Sequence, residues 1–92
     1  MLFKDVVLLG LAHKKEKQEV YTHFSREGKV DDFIEALYHL NKDGLVYVPL
    51  RAWSPKYDGV SIPNDVVMTG VKLTPYGESR AKHLITKHKK SL

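Results

Sequence analysis

The chain has no cysteine. Disulfide staples and thiolate metal sites are therefore excluded, and the fold must hold by packing alone or with help from a partner subunit. A chain without cysteine suits a reducing compartment, and a cytoplasmic location is expected. Long apolar runs are missing too. A membrane span needs about 20 apolar residues, whereas the apolar stretch near the start is short, holds Asp5 and runs into Lys14, Lys15 and Lys17. No basic region precedes it, so neither a secretory signal nor a membrane anchor is expected.

Glycine is scattered, with Gly28, Gly44, Gly59 and Gly70 isolated from one another, so no glycine-rich loop is present to cradle a phosphate. Without a thiol, a nucleophile would have to be a hydroxyl beside a histidine, as in the local pair of Ser25 and His23. An enzyme is not expected. The histidines are His13, His23, His39, His83 and His88. Metal-binding helices space their ligands three or four residues apart, which His83 and His88 do not, and no carboxylate stands at ligand spacing from them. No metal and no cofactor are expected.

What is present is the composition of an ordinary globular domain. The chain has 92 residues, 42% hydrophobic and 28% charged, enough for one core and one domain over residues 1–92. The charge is unevenly placed. Residues 1–71 carry nine Lys and Arg against ten Asp and Glu, while residues 72–92 carry six against Glu78 alone. A basic tail on a near-neutral body draws the chain towards a polyanion, or simply keeps it soluble.

Residues 2–13 read as a first helix with Leu2, Phe3, Val6, Val7, Leu9 and Gly10 on one broad face. Leu8 and Leu11 then look outward and need a cover, which either the C-terminal helix or a second subunit supplies; a homodimer contact through them is the first expectation. Residues 16–24 form a short second helix with Val20 and Phe24 inward. Residues 29–43 are the clearest element, with Val30, Phe33, Ile34, Leu37 and Leu40 following the helical repeat and Asp31 and Asp32 complementing the dipole at its start.

Residues 45–48 are β-rich, Pro49 marks an edge strand, residues 54–65 have loop chemistry, and residues 66–73 form a returning strand. Thr74 as N-cap and Pro75 in the first helical position open the last helix, with Gly77, Ala81, Leu84, Ile85 and His88 inward. The order is helix, helix, helix, hairpin, helix.

Two motifs carry a family likeness. Phe33 through Val46 end in Leu40-Asn41-Lys42-Asp43-Gly44-Leu45-Val46, a helix closing on L-x-x-x-G-L-V. One hairpin later comes Val71-Lys72-Leu73-Thr74-Pro75-Tyr76-Gly77, an L-T-P-x-G join into a helix. In that order they resemble the winged helix-turn-helix superfamily, as in MarR-type and PadR-type bacterial regulators, over residues 16–85. The resemblance implies an α+β winged helix-turn-helix: three helices, a two- to three-stranded hairpin wing over about residues 45–73, and a C-terminal helix over about 75–90. It also implies a small, non-enzymatic transcriptional regulator binding double-stranded DNA, with residues 29–41 in the major groove and the wing on the backbone.

On that mapping Lys29, His39, Arg51, Lys56, Tyr57 and Lys72 are the candidate DNA-contacting residues. The outward face of the third helix, however, holds Asp31, Asp32 and Glu35 beside Ala36, His39 and Lys42. Phosphates are neutralised by Lys and Arg, so this face has the wrong sign. The alternative is a winged-helix protein-interaction module, of a kind phages and mobile elements encode, meeting its partner through this acidic face or the Leu8 and Leu11 strip. Trp53 either packs on the sheet or anchors a contact, since Trp and Arg are favoured at interfaces.

Overall fold

The computed structural model describes residues 2–54 and 63–88. Lys56 and Tyr57, and the rest of the expected wing tip, lie outside them. Among the described residues the architecture is α+β: helices α1 (Phe3–His13), α2 (Lys17–Arg26), α3 (Val30–Lys42) and α4 (Pro75–His88), with an antiparallel ribbon between α3 and α4. Val30, Phe33, Ile34, Leu37 and Leu40 do turn inward along α3, Val30 only partly, and Ala36 and Tyr38 extend its buried arc on either side. Phe3, Phe24 and Phe33 run through the junction of α1, α2 and α3, with Phe24 stacked on Phe33 at 5.5 Å and edge-on to Phe3 at 5.3 Å.

The ribbon is broken in two. Strands β1 (Val46–Tyr47) and β4 (Lys72–Leu73) pair Val46 with Leu73 and Tyr47 with Lys72. Farther out, β2 (Trp53–Ser54) and β3 (Asp65–Val66) pair Trp53 with Val66 and Ser54 with Asp65. Two continuous strands were the expectation. The ladder fails between them because Pro49 has no N–H to give and starts a 3-10 turn, Leu50–Ala52. Opposite it, Gly70 turns at φ +85°, where a Cβ would stand 3.1 Å from the Pro49 ring. The Val67 N–H reaching the Ala52 carbonyl at 2.8 Å resumes the pairing. Alternation holds within each half, with Val46 and Val48, then Val66 and Met68, buried, but shifts by one across the break, where the adjacent Ala52 and Trp53 are both buried.

The join of ribbon and last helix follows the sequence closely. The Thr74 hydroxyl accepts the Gly77 N–H at 3.1 Å, the expected N-cap, and donates to the Gly44 carbonyl at 2.6 Å. The Thr74 N–H also reaches the Leu45 carbonyl at 3.1 Å. That carbonyl presses so closely on α4 that a Cβ on Gly77 would lie 1.8 Å from its oxygen. Only glycine fits there.

Seated in this way, α4 lies along α1, and this overturns the expected facing of α1. Leu8 and Leu11 are 0% exposed, whereas Leu2 and Val6 are 63% and 42% exposed. A helix covered by α3 on one side and α4 on the other buries more than a single stripe, and the apolar spacing of α1 reveals only part of that arc. The cover over Leu8 and Leu11 thus comes from the same chain. Neither residue presents a surface to a second subunit or a partner protein. Asp5, on the same flank as Leu8, is buried as well, with the Arg80 guanidinium of α4 3.8 Å from its carboxylate. Ile85, expected inward on α4, is exposed.

Leu8→Ala or Leu11→Ala is expected to cost about 2–5 kcal/mol of stability, and Leu8→Glu to give an unfolded chain instead of a folded monomer. Gly77→Ala is expected to cost about 3 kcal/mol, because the Leu45 backbone itself must yield. Denaturant midpoints check all of them.

Candidate nucleic-acid interface

With Ala36 buried on one flank of α3 and Tyr38 on the other, its solvent-facing arc is narrow. Asp31, Asp32, Glu35, His39 and Lys42 occupy it, followed by Asp43 at the C-cap. Tyr38 is closed over by Trp53, the rings edge-on at 6.2 Å, with the Lys42 ammonium 5.3 Å from the Tyr38 centroid. Trp53 is thus a packing residue that anchors the outer ribbon on α3. His39 lies 3.9 Å from Glu35, and Lys4 lies 3.6 Å from Asp43. Lys29, beside the start of α3, shares a shallow hollow with His39, and Lys4, Asp32 and Glu35 line the same hollow. The structure brings these two candidate residues together, but among carboxylates.

The other two candidates within the described residues, Arg51 and Lys72, lie elsewhere, each beside Tyr47. Both are exposed on the ribbon and flank Tyr47. Arg51 shares one hollow with Tyr47, Pro49 and Leu50, and Lys72 shares the next with Tyr47, Thr74, Pro75 and Glu78. The register that pairs Tyr47 with Lys72 puts the ammonium 5.7 Å from the ring centroid, within cation–π range. Lys72 also borders a third hollow with Lys17, Lys82 and Ile85. Lys17 reaches back to the carbonyls of Leu11 in α1 at 2.6 Å and of Lys14, its C-cap, at 2.8 Å, where a cation complements the helix end.

A basic surface therefore runs from Arg51 past Tyr47 and Lys72 to Lys17 and Lys82, interrupted by Glu78. Tyr47, Lys17 and Lys82 were not among the candidates read from sequence. The signal for Tyr47 was its place between Val46 and Val48, where period-two alternation turns it outward; Lys82 was signalled only as part of the basic stretch 72–92 and Lys17 not at all, because their meeting depends on how α4 lies against α1.

The outer ribbon is tied to the helices by a second contact. The Tyr21 hydroxyl of α2 donates to the Asp65 carboxylate at 2.6 Å, and the Val66 N–H donates to the same oxygen at 2.8 Å. That hydrogen bond, then partial burial, then the Asp65 charge raise the Tyr21 pKa above its usual 10.0.

No family model, curated protein or solved structure matches the chain. Among the described residues no cluster of histidines and carboxylates could hold a metal ion, and no helix is long and apolar enough to cross a membrane.

Because the Tyr21 pKa is higher folded than unfolded, the stabilisation it gives is complete below pH 10 and is lost as pH rises through the raised value. Tyr21→Phe is expected to lower stability by about 1 kcal/mol at neutral pH, with the gap to the unmodified chain closing in strong alkali. Urea midpoints at the two pH values measure it; a gap independent of pH counts against the hydrogen bond as its source.

Proposed function

We propose that the chain is a winged-helix-type, non-enzymatic DNA-binding regulator of transcription that holds the duplex with its ribbon and α4 more than with α3. The observation that carries this is the run of cations Arg51, Lys72 and Lys82 along one surface, where phosphates can be neutralised together. The helix order, the L-T-P-x-G join and the antiparallel ribbon are compatible with a winged-helix layout and support the same reading. Against the mapping implied by the resemblance, α3 presents carboxylates where a groove-entering helix needs donors. Lys29 and His39 are accordingly secondary contacts in this reading. Such a regulator works in the cytoplasm alongside DNA. A homodimer contact through Leu8 and Leu11 is no part of it, since both are enclosed by their own chain.

The acidic arc of α3 favours a second reading, a protein-interaction module whose partner brings a basic face. Opposite potentials guide and align such contacts.

Electrophoretic titration of a mixed-sequence duplex at several salt concentrations separates the two readings. Three neutralised phosphates give a slope of about −3 on logarithmic axes. Arg51→Glu and Lys72→Glu are each expected to weaken binding for every sequence and to flatten that slope by about one. Asp32→Arg with Glu35→Arg is expected to leave binding intact or tighten it. No shift at low salt sinks the DNA reading and leaves the protein partner.

A further inference from the structure

Resting on the nucleic-acid reading above, we infer that the ring of Tyr47 stacks on an unpaired nucleobase, so that the nucleic acid this surface prefers carries single-stranded bases. Most rings of the chain have packing partners inside it: Phe3, Phe24, Phe33, Tyr38 and Trp53 contact one another across the core, and Tyr21 packs edge-on to Phe33 at 5.7 Å. Tyr47 and Tyr76 do not turn in, Tyr76 being 77% exposed, and of the two it is Tyr47 that shares its hollows with both Arg51 and Lys72. Its neighbours Val46 and Val48 are buried, while its own side is 49% exposed. Beside it Leu50 is 67% exposed on the 3-10 turn that interrupts the ribbon.

The setting of the ring specifies its ligand. Arg51 lines the same hollow as the ring and the Lys72 ammonium lies over one face of it at 5.7 Å, so a base resting on the other face has two cations close by for its phosphates. An aromatic platform flanked by cations is what single strands bind, because every unpaired base has a π-face and every nucleotide a phosphate. A closed duplex offers only base edges and backbone, and its base faces are already stacked. The cations alone therefore account for duplex binding, and the exposed ring is accounted for by a base that has left the stack. The break at Pro49 and Gly70 helps, since it bares Leu50 and Arg51 next to the ring in place of a continuous strand.

Fluorescence anisotropy with three labelled probes of equal length tests this: oligothymidylate, an abasic oligomer with the same number of phosphates, and a blunt duplex. The unmodified chain is expected to bind oligothymidylate about tenfold more tightly than the abasic oligomer. Tyr47→Ala is expected to abolish that preference without changing the salt slope, and Tyr47→Phe to keep it, since a phenyl ring stacks as well. Both substitutions lie on the exposed face of β1, and circular dichroism verifies the fold. Equal affinity of the unmodified chain for oligothymidylate and the abasic oligomer overturns the stacking inference and leaves phosphate binding intact. A preference that persists in Tyr47→Ala overturns the assignment to this ring. Failure to bind all three probes, the duplex included, overturns both the inference and the reading beneath it.

Discussion

The Thr74 hydroxyl, shared between the end of one helix and the beginning of another, is the hinge-pin of the structure. It caps α4 through the Gly77 N–H and holds the Gly44 carbonyl that follows α3. With the Leu45 carbonyl set against Gly77, these contacts fix where α4 begins and the direction it takes. Everything beyond the first three helices follows from that placement. The inner ladder of the ribbon closes immediately before it, α4 returns along α1, and Leu8 and Leu11 acquire their cover. Removing each fully buried leucine from water is worth about 1.5–3 kcal/mol, so the capping contact governs far more free energy than a single hydrogen bond supplies.

Local chemistry was the legible part of the sequence. Helix α3 announced itself by its apolar repeat, α4 by Thr74 and Pro75, and the ribbon by β-rich segments on either side of loop residues. Pro49 marked an edge strand, although the interruption it makes by its pinch against Gly70 could not be seen from either residue alone. What failed to show was anything fixed by tertiary contact. The apolar residues of α1 cover much of its circumference, and only the arrival of α4 decides that Leu8 and Leu11 turn in while Val6 turns out. Buried Asp5 could not be foreseen either, because its partner Arg80 lies on an element 75 positions away in sequence.

The same division applies to the site. Lys29, His39, Arg51 and Lys72 were identified as single residues, but the fold sorts them into two neighbourhoods of opposite character. Lys29 and His39 are set among carboxylates, and Arg51 and Lys72 are joined by Lys82 and an aromatic ring. Charge along the chain, basic at the end and near neutral before it, becomes charge across the molecule: an acidic ridge on α3 and a basic surface on the ribbon and α4. A polyanion approaching such a body is oriented before it makes contact, and the ridge repels it from the helix that the family likeness would have placed in the groove.

Asp5 and Arg80 bear on this orientation in a further way. Leucines tolerate sliding past one another, and an all-apolar seam between α1 and α4 would admit several seatings of similar energy. A lone buried carboxylate does not. Shifting α4 by a single helical turn moves the guanidinium by about 5.4 Å and leaves the Asp5 carboxylate without its cation. The ion pair works as a locating key between α1 and α4, and Lys72 enters just ahead of the helix so positioned.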